Sequence, residues 1–192
     1  MAAKQSGMSR KRRNSSPLNQ TTLHDLALSY LARFSTSAAK LENYLYRKIR
    51  ERGVDDAAGD LDVGAIVERM VELRYVDDEA YAQARSSGLL RKGYGARRVE
   101  QALRGAGIAE HVRSDVAPDE YQARNAAVAI ARKRGFGPFS RSDEQIDLKL
   151  REKQIAAMIR AGHTFDAAKA IIDAKDIDTI ETWLEEAREC DF

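Results

Sequence analysis

The sequence has one cysteine, Cys190, and three prolines, Pro17, Pro118 and Pro138, in 192 residues. A lone cysteine excludes an internal disulfide and any cysteine cluster for zinc. All three prolines fall in stretches that read as loops, so the segments between them are free to be helical. Aromatic residues make up only 7% of the chain, and no period-two apolar pattern marks a strand. No apolar run approaches the roughly 20 residues of a membrane span, and the basic N-terminus lacks the apolar core of a signal peptide. We therefore expect a cytoplasmic protein without membrane contact. Chemistry-bearing residues are equally sparse. His24, His111 and His163 lie far apart, and no His-x3-His, His-Glu-x2-His or Cys-x2-Cys spacing occurs. Cys190 has no histidine near it in sequence to activate it. The Asp77-Asp78 pair reads as helix caps rather than metal ligands, since no third carboxylate follows at ligand spacing. No catalytic group, metal or cofactor is expected, and the protein reads as a non-enzyme.

What is present favours helix. Hydrophobic residues are 43% and charged residues 32% of the chain, and Ala, Glu, Lys, Leu and Arg predominate. The formal net charge is +2, but it is unevenly spread. Residues 176–192 hold seven acidic residues against one arginine, a net of −6, so the first 175 carry +8. A basic body of this kind suits a polyanionic partner, with the acidic end directed elsewhere.

The chain opens with a basic arm, residues 1–20, which has five basic residues, no acidic ones and little to bury; it reads as disordered. Thr21 or Thr22 then caps a helix with Leu23, Leu26, Ala27, Tyr30 and Leu31 on its apolar face and Phe34 at its end. After a Ser35-Thr36-Ser37 break, Leu41, Leu45 and Ile49 recur every four residues up to Gly53. A third helix carries Ile66, Met70 and Leu73. The central stretch, residues 74–108, begins with the capping pair Asp77-Asp78 and the helical series Tyr81, Ala84, Gly88 and Leu89. It breaks at Gly93-Tyr94-Gly95 and resumes as a helix with Val99 and Leu103, stopped by Gly105-Ala106-Gly107. A short helix over 110–116 precedes Pro118. Asp119 starts another, with a seam of Ala123, Ala127, Ile130 and Ala131. A long helix from about Asp143 buries Ile155, Met158 and Ile159 and ends at Gly162; Thr164 caps the next, which buries Phe165, Ala168, Ile171 and Ile172. The last helix, near 177–188, sets Ile177, Ile180, Trp183 and Leu184 against an acidic side.

These helices repeat. Ser35-x-Ser37-x3-Leu41-x3-Leu45 overlies Gly93-x-Gly95-x3-Val99-x3-Leu103 at a shift of 58, and a further shift of 56 puts Val99 on Ile155 and Leu103 on Ile159. The pattern predicts an all-α fold of tandem three-helix repeats in an elongated, curved array. We divide it into repeats at 21–76, 77–118 and 119–175, flanked by the arm and by an acidic C-terminal helix at 176–192. A unit of about 50 residues buries too little surface to stand alone, so neighbours must share a core.

Cations gather at the turns of this array. Arg91, Lys92, Arg97, Arg98 and Arg104 surround Gly93 and Gly95, with Glu100 the sole opposing charge. Arg47 and Lys48, followed by Arg50 and Arg52, form a second cluster, and Arg132, Lys133 and Arg134 a third. The glycine turn precedes a helix N-terminus, whose free N–H groups attract anions. Arg97 and Arg98 in that first turn oppose the helix dipole unless a partner anion is present. The turn is not a Walker loop, since Gly-Lys-Ser/Thr and a preceding strand are absent. Without Arg50 and Arg52, and with Gly93 and Gly95 included, twelve of these positions form the candidate DNA- or filament-binding set.

The central stretch also resembles the RecX family. The resemblance rests on the aromatic-x-Asp-Asp start Tyr75-Val76-Asp77-Asp78, the aromatic Tyr81, the Gly93-x-Gly95 turn and the basic helix closing in Gly107-Ile108. Two positions depart from the family pattern: Arg74 stands where glycine is usual, and Ala102-Leu103 where Glu-Leu is frequent. The resemblance implies three repeats of three helices and a regulator of the RecA recombinase in DNA repair, recombination and the SOS response. Its partners would be the RecA filament and single-stranded DNA, bound by a monomer. The alternatives are a helix-turn-helix reader of duplex DNA, such as a transcription regulator, and a scaffold that binds protein alone.

Overall fold

The computed structural model describes residues 16–140 and 147–189. Among them are ten α-helices: α1 (Gln20–Leu31), α2 (Ala38–Arg52), α3 (Val63–Glu72), α4 (Asp78–Arg91), α5 (Ala96–Arg104), α6 (Glu110–Asp115), α7 (Glu120–Arg134), α8 (Leu148–Arg160), α9 (Phe165–Ile172) and α10 (Ile177–Glu189). A 3-10 turn, Gly137–Phe139, follows α7. No strand occurs among the described residues, only a parallel bridge between Leu18 and Val54. The all-α repeat architecture thus stands as three successive groups of three helices and a tenth. The expected helix over 143–146 and Cys190 lie outside the described residues; α8 begins at Leu148, where Asp147 accepts from the Leu150 N–H.

Local chemistry sets most helix starts. Asp77, Asp119 and Thr164 each accept from a backbone N–H three residues on, capping α4, α7 and α9. The first helix differs from expectation. Its cap is Asn19, paired with Thr22 in a reciprocal capping box, because an amide followed three residues later by a hydroxyl satisfies two orphan N–H groups together.

The described residues form two compact units. The first comprises residues 16–34 and 41–75. Leu23, Leu41, Leu45 and Met70 are fully buried in it, each worth roughly 1.5–3 kcal/mol relative to exposure. Most of the expected arm lies outside the described residues, but its last part is ordered. Leu18 is fully buried; its N–H donates to Gly53 O at 2.9 Å and its carbonyl accepts from Asp55 N. Arg52 donates to the Ser16 carbonyl. Leu73, expected on the α3 core face, is exposed, and Val63 is buried in that unit's core instead.

The second unit comprises residues 35–40 and 76–189. One core packs α4, α5 and α6 around Ala82, Leu89, Val99, Leu103 and Ile108. The other packs α7, α8, α9 and α10 around Ile130, Met158, Ile171 and Ile180. The buried face of α4 is Ala82, Ser86 and Leu89, not Ala84, which is exposed. Ile159 and Phe165 were expected in the core, and they are 36% and 56% exposed. Met158 in α8 and Ala168 in α9, expected there too, are fully buried, so the buried face of each helix is narrower than the sequence predicts.

One junction occurs twice in this unit. Ser37, just ahead of α2, donates its Oγ to the Ala106 carbonyl at 2.5 Å, beyond the end of α5. Gly95, just ahead of α5, donates its N–H to the Ala161 carbonyl at 3.0 Å, beyond the end of α8. A methyl on Gly107 would fall on Ala39, and one on Gly162 would lie 2.6 Å from the Arg98 nitrogen. In each case the start of one repeat's second helix abuts the stop of the next repeat's second helix. The stops are alike: Gly107 and Gly162 both have positive φ, and Ile108 N and His163 N bond back to Leu103 O and Met158 O. The second shift is therefore 55 rather than 56, which pairs Leu103 with Met158.

Candidate functional site

Gly93 and Gly95 are buried, not exposed ligand-binding positions. A methyl at Gly93 would lie 2.8 Å from the Ile130 nitrogen, and one at Gly95 would lie 2.6 Å from the His163 nitrogen. The donors expected to hold an anion are already used: Gly95 N–H meets Ala161 O at 3.0 Å and Arg97 N–H meets Gly162 O at 3.2 Å. The N-terminus of α5 thus docks on the carbonyl end of α8. This also resolves the charge conflict. Arg97 and Arg98 sit badly with the dipole of their own helix but well with the negative end of α8.

His163 completes the joint. It is buried, and its Nε2 lies 3.0 Å from the Gly93 carbonyl. Burial pushes the imidazole below its ordinary range, partly offset by that carbonyl. The neutral ring donates from Nε2, so His163 is a structural clasp and not a base. Gln154 plays a similar part in accepting from Gly137 N at 3.1 Å. Sequence reasoning left both without a role. The pairing of Ile108 with His163 at the shift of 55 was the available signal for His163.

The basic residues divide by their neighbours. Arg91, Lys92, Arg97 and Arg98 are exposed, and none has a carboxylate partner among the described residues. Arg98 lies over the Tyr94 ring. Arg104 differs, because Glu100 accepts from it at 2.9 Å and also from Arg113 at 2.9 Å. Arg132, Lys133 and Arg134 are exposed on the last turn of α7, with Arg132 over Phe139 and Arg134 over Phe136. Ile130, one turn earlier, is the residue against which Gly93 packs, so the turn at Lys92 and the basic end of α7 are neighbours. Arg47 and Lys48 belong to the first unit. Both pair with Glu51 and lie over Tyr44, and the Lys48 ammonium holds the Glu51 carboxyl below its usual range.

A hollow of about 370 Å³ lies between α5 and α6, floored by Val99, Leu103 and Pro118 and rimmed by Arg97, Arg104 and Arg113. The acidic α10 packs on α7 through Ile180, Trp183 and Ala187. Arg124 of α7 donates to the Trp183 carbonyl at 2.6 Å. Asp178, Glu181 and Glu185 remain exposed. Among the described residues no group of three or more His, Cys, Asp or Glu side chains is placed to hold a metal ion, and no helix is long and apolar enough to cross a membrane.

Comparison with known proteins places the chain. Residues 77–116 match the family model described as RecX, second three-helix domain. The regulatory protein RecX of Myxococcus xanthus is 33% identical over 165 residues, spanning 82% of this chain and 87% of that protein. RecX of Agrobacterium fabrum is 31% identical over 160 residues, spanning 79% and 84%. The crystal structure of RecX from Lactobacillus salivarius superposes with a TM-score of 0.60 at 17% identity, covering 86% of this chain and 96% of that one. With its ten-helix repeat fold and the twice-used glycine junction, the chain belongs to the RecX family of regulatory proteins.

Proposed function

We propose that the protein binds the RecA filament on single-stranded DNA, restrains the recombinase and its ATPase, and does so as a cytoplasmic, non-enzymatic monomer. Its repeats, 21–76, 77–118 and 119–175, act as linked docking modules, with 176–192 as a cap. Linked weak contacts along a polymer add avidity without one tight pocket. The observation that carries the reading is the set of exposed, carboxylate-free cations around the buried glycine turn, Lys92, Arg97 and Arg98, next to Arg132, Lys133 and Arg134. The packed backbone beneath them is already ordered, so binding orders only the side chains. Glu100 draws Arg104 away from this set.

Three to six phosphate contacts predict a log–log salt slope between roughly −2 and −4 on single strands. The test is RecA strand exchange and ATPase turnover with added protein, alongside binding to single-stranded DNA across a salt titration. Inhibition that Arg97→Glu/Arg98→Glu abolishes supports the proposal. Full recombinase activity at saturating protein, with no filament binding, ends it. A duplex reader of helix-turn-helix type is less favoured. Such a reader inserts the N-terminal residues of its second helix into the major groove, and here the start of α5 is packed against residues 161–162.

A further inference from the structure

The cleft between α4 and α7 has a volume of about 590 Å³, and its chemistry differs from that of the basic turn. The two helices run side by side. Ser86 Oγ donates to the Val116 carbonyl at 2.9 Å, shortly before α7, and Gly93, just after α4, abuts Ile130 near the end of α7. Ala117, Ala126 and Ala129 are among the lining residues, so a ligand can come close to the backbone of α7 at those positions, between the longer side chains. Gln83, Ser87, Gln122 and Asn125 also line it, and their side chains make no hydrogen bond among the described residues. Each amide offers both donors and acceptors. The ends differ in sign: Arg91, whose guanidinium lies back over Gly88, stands at one, and Asp115 and Asp119 at the other.

We infer that this cleft binds an extended polypeptide segment of the filament protein, whose backbone is met by Gln83, Gln122 and Asn125, with an acidic side chain at Arg91 and a basic one at Asp115 and Asp119. The inference rests on the filament-binding reading above. Neutral amides that both give and take hydrogen bonds match a peptide backbone, which does the same at every residue. A nucleic-acid strand is a poor fit, because carboxylates outnumber the one cation and no aromatic ring lines the cleft for base stacking. From Asp119 to Ala129 the wall is ten residues of helix, about 15 Å. That length takes four or five residues of extended chain at about 3.3 Å each.

Two variants test this. Ala129→Trp fills the cleft from an exposed helical position, and Gln122→Ala/Asn125→Ala removes the amides with residues that favour helix. Both are compared with the unmodified chain in co-sedimentation with RecA filaments on single-stranded DNA, and in fluorescence anisotropy with the single strand alone. The expected result is a loss of tenfold or more in filament affinity for both variants, with single-strand affinity unchanged within twofold. Unchanged filament binding by Ala129→Trp overturns the cleft as a docking site. Loss by Ala129→Trp alone overturns the recognition by side-chain amides. A parallel loss of single-strand affinity makes the cleft a nucleic-acid site and overturns the inference too. These outcomes differ from failure of the underlying reading, in which the unmodified chain itself does not bind the filament.

Discussion

Gly95 and Gly88 make opposite predictions from the same residue type. Gly95 has φ −82°, which alanine adopts freely, so replacing it carries no backbone strain. The penalty comes from space. A methyl there meets the Gly162 backbone carbon and oxygen and lies 2.6 Å from the His163 nitrogen, and none of these is a flexible side chain that can swing away. The start of α5 must lift from the end of α8 by about an ångström, at the roughly 1–3 kcal/mol typical of overpacking. Lifting also stretches Gly95 N to Ala161 O at 3.0 Å, Arg97 N to Gly162 O at 3.2 Å, and the His163–Gly93 contact at 3.0 Å, at about 1 kcal/mol each. Gly95→Ala should therefore destabilise the second unit by about 4–6 kcal/mol. Gly88 lies inside α4, where a methyl would come no closer than 3.9 Å to the Arg91 guanidinium; Gly88→Ala should stabilise by about 0.5–1 kcal/mol. The chain's single tryptophan, Trp183, packs against the α7–α9 core, so its fluorescence during urea denaturation reports this unit directly. A cost below about 1 kcal/mol for Gly95→Ala, or equal effects of the two substitutions, would refute the close-packed junction.

Further expectations follow from the same contacts. His163 has a folded pKa below its ordinary 6.5, so the unfolded chain binds more protons near that pH; stability of the second unit is complete above about 6.5 and falls as the pH drops toward the folded value. His163→Gln should flatten this acid limb in urea titrations at stepped pH. Glu100→Gln removes the carboxylate shared by Arg104 and Arg113; single-strand binding should tighten and its salt slope steepen by about 0.7 for one freed phosphate contact. A slope that stays constant in the salt titration counts against Arg104 facing nucleic acid. Ser37→Ala leaves the buried Ala106 carbonyl without its 2.5 Å donor, and should cost about 1–3 kcal/mol by the Trp183 signal, with little change in helix content.

Much of the chain was legible because helix rules are short-range. A cap, a glycine stop and an apolar seam are all written within a few residues of where they act. Asp77, Asp119 and Thr164 cap their own helices as read, and Val99 and Leu103 face the core as read. The failures share a cause as well. Asp78 looks like a second cap for α4, yet its Oδ1 accepts from Ala38 N at 2.9 Å, at the start of a different helix. The glycine turn looks like an anion cradle, yet carbonyls some 66 residues along the chain take its donors. Ile159 looks as buried as Met158, since either fits an apolar face until a neighbour fixes the helix rotation.

The sequence by itself therefore determined the helices, most of their ends, the presence of a repeat and the excess of positive charge, since each depends on neighbours along the chain. Only the tertiary structure decided which donors remained free and which cations stayed unpaired. It also decided which small residues left a cleft. Those are properties of groups brought together from distant positions, and no local pattern encodes the partner.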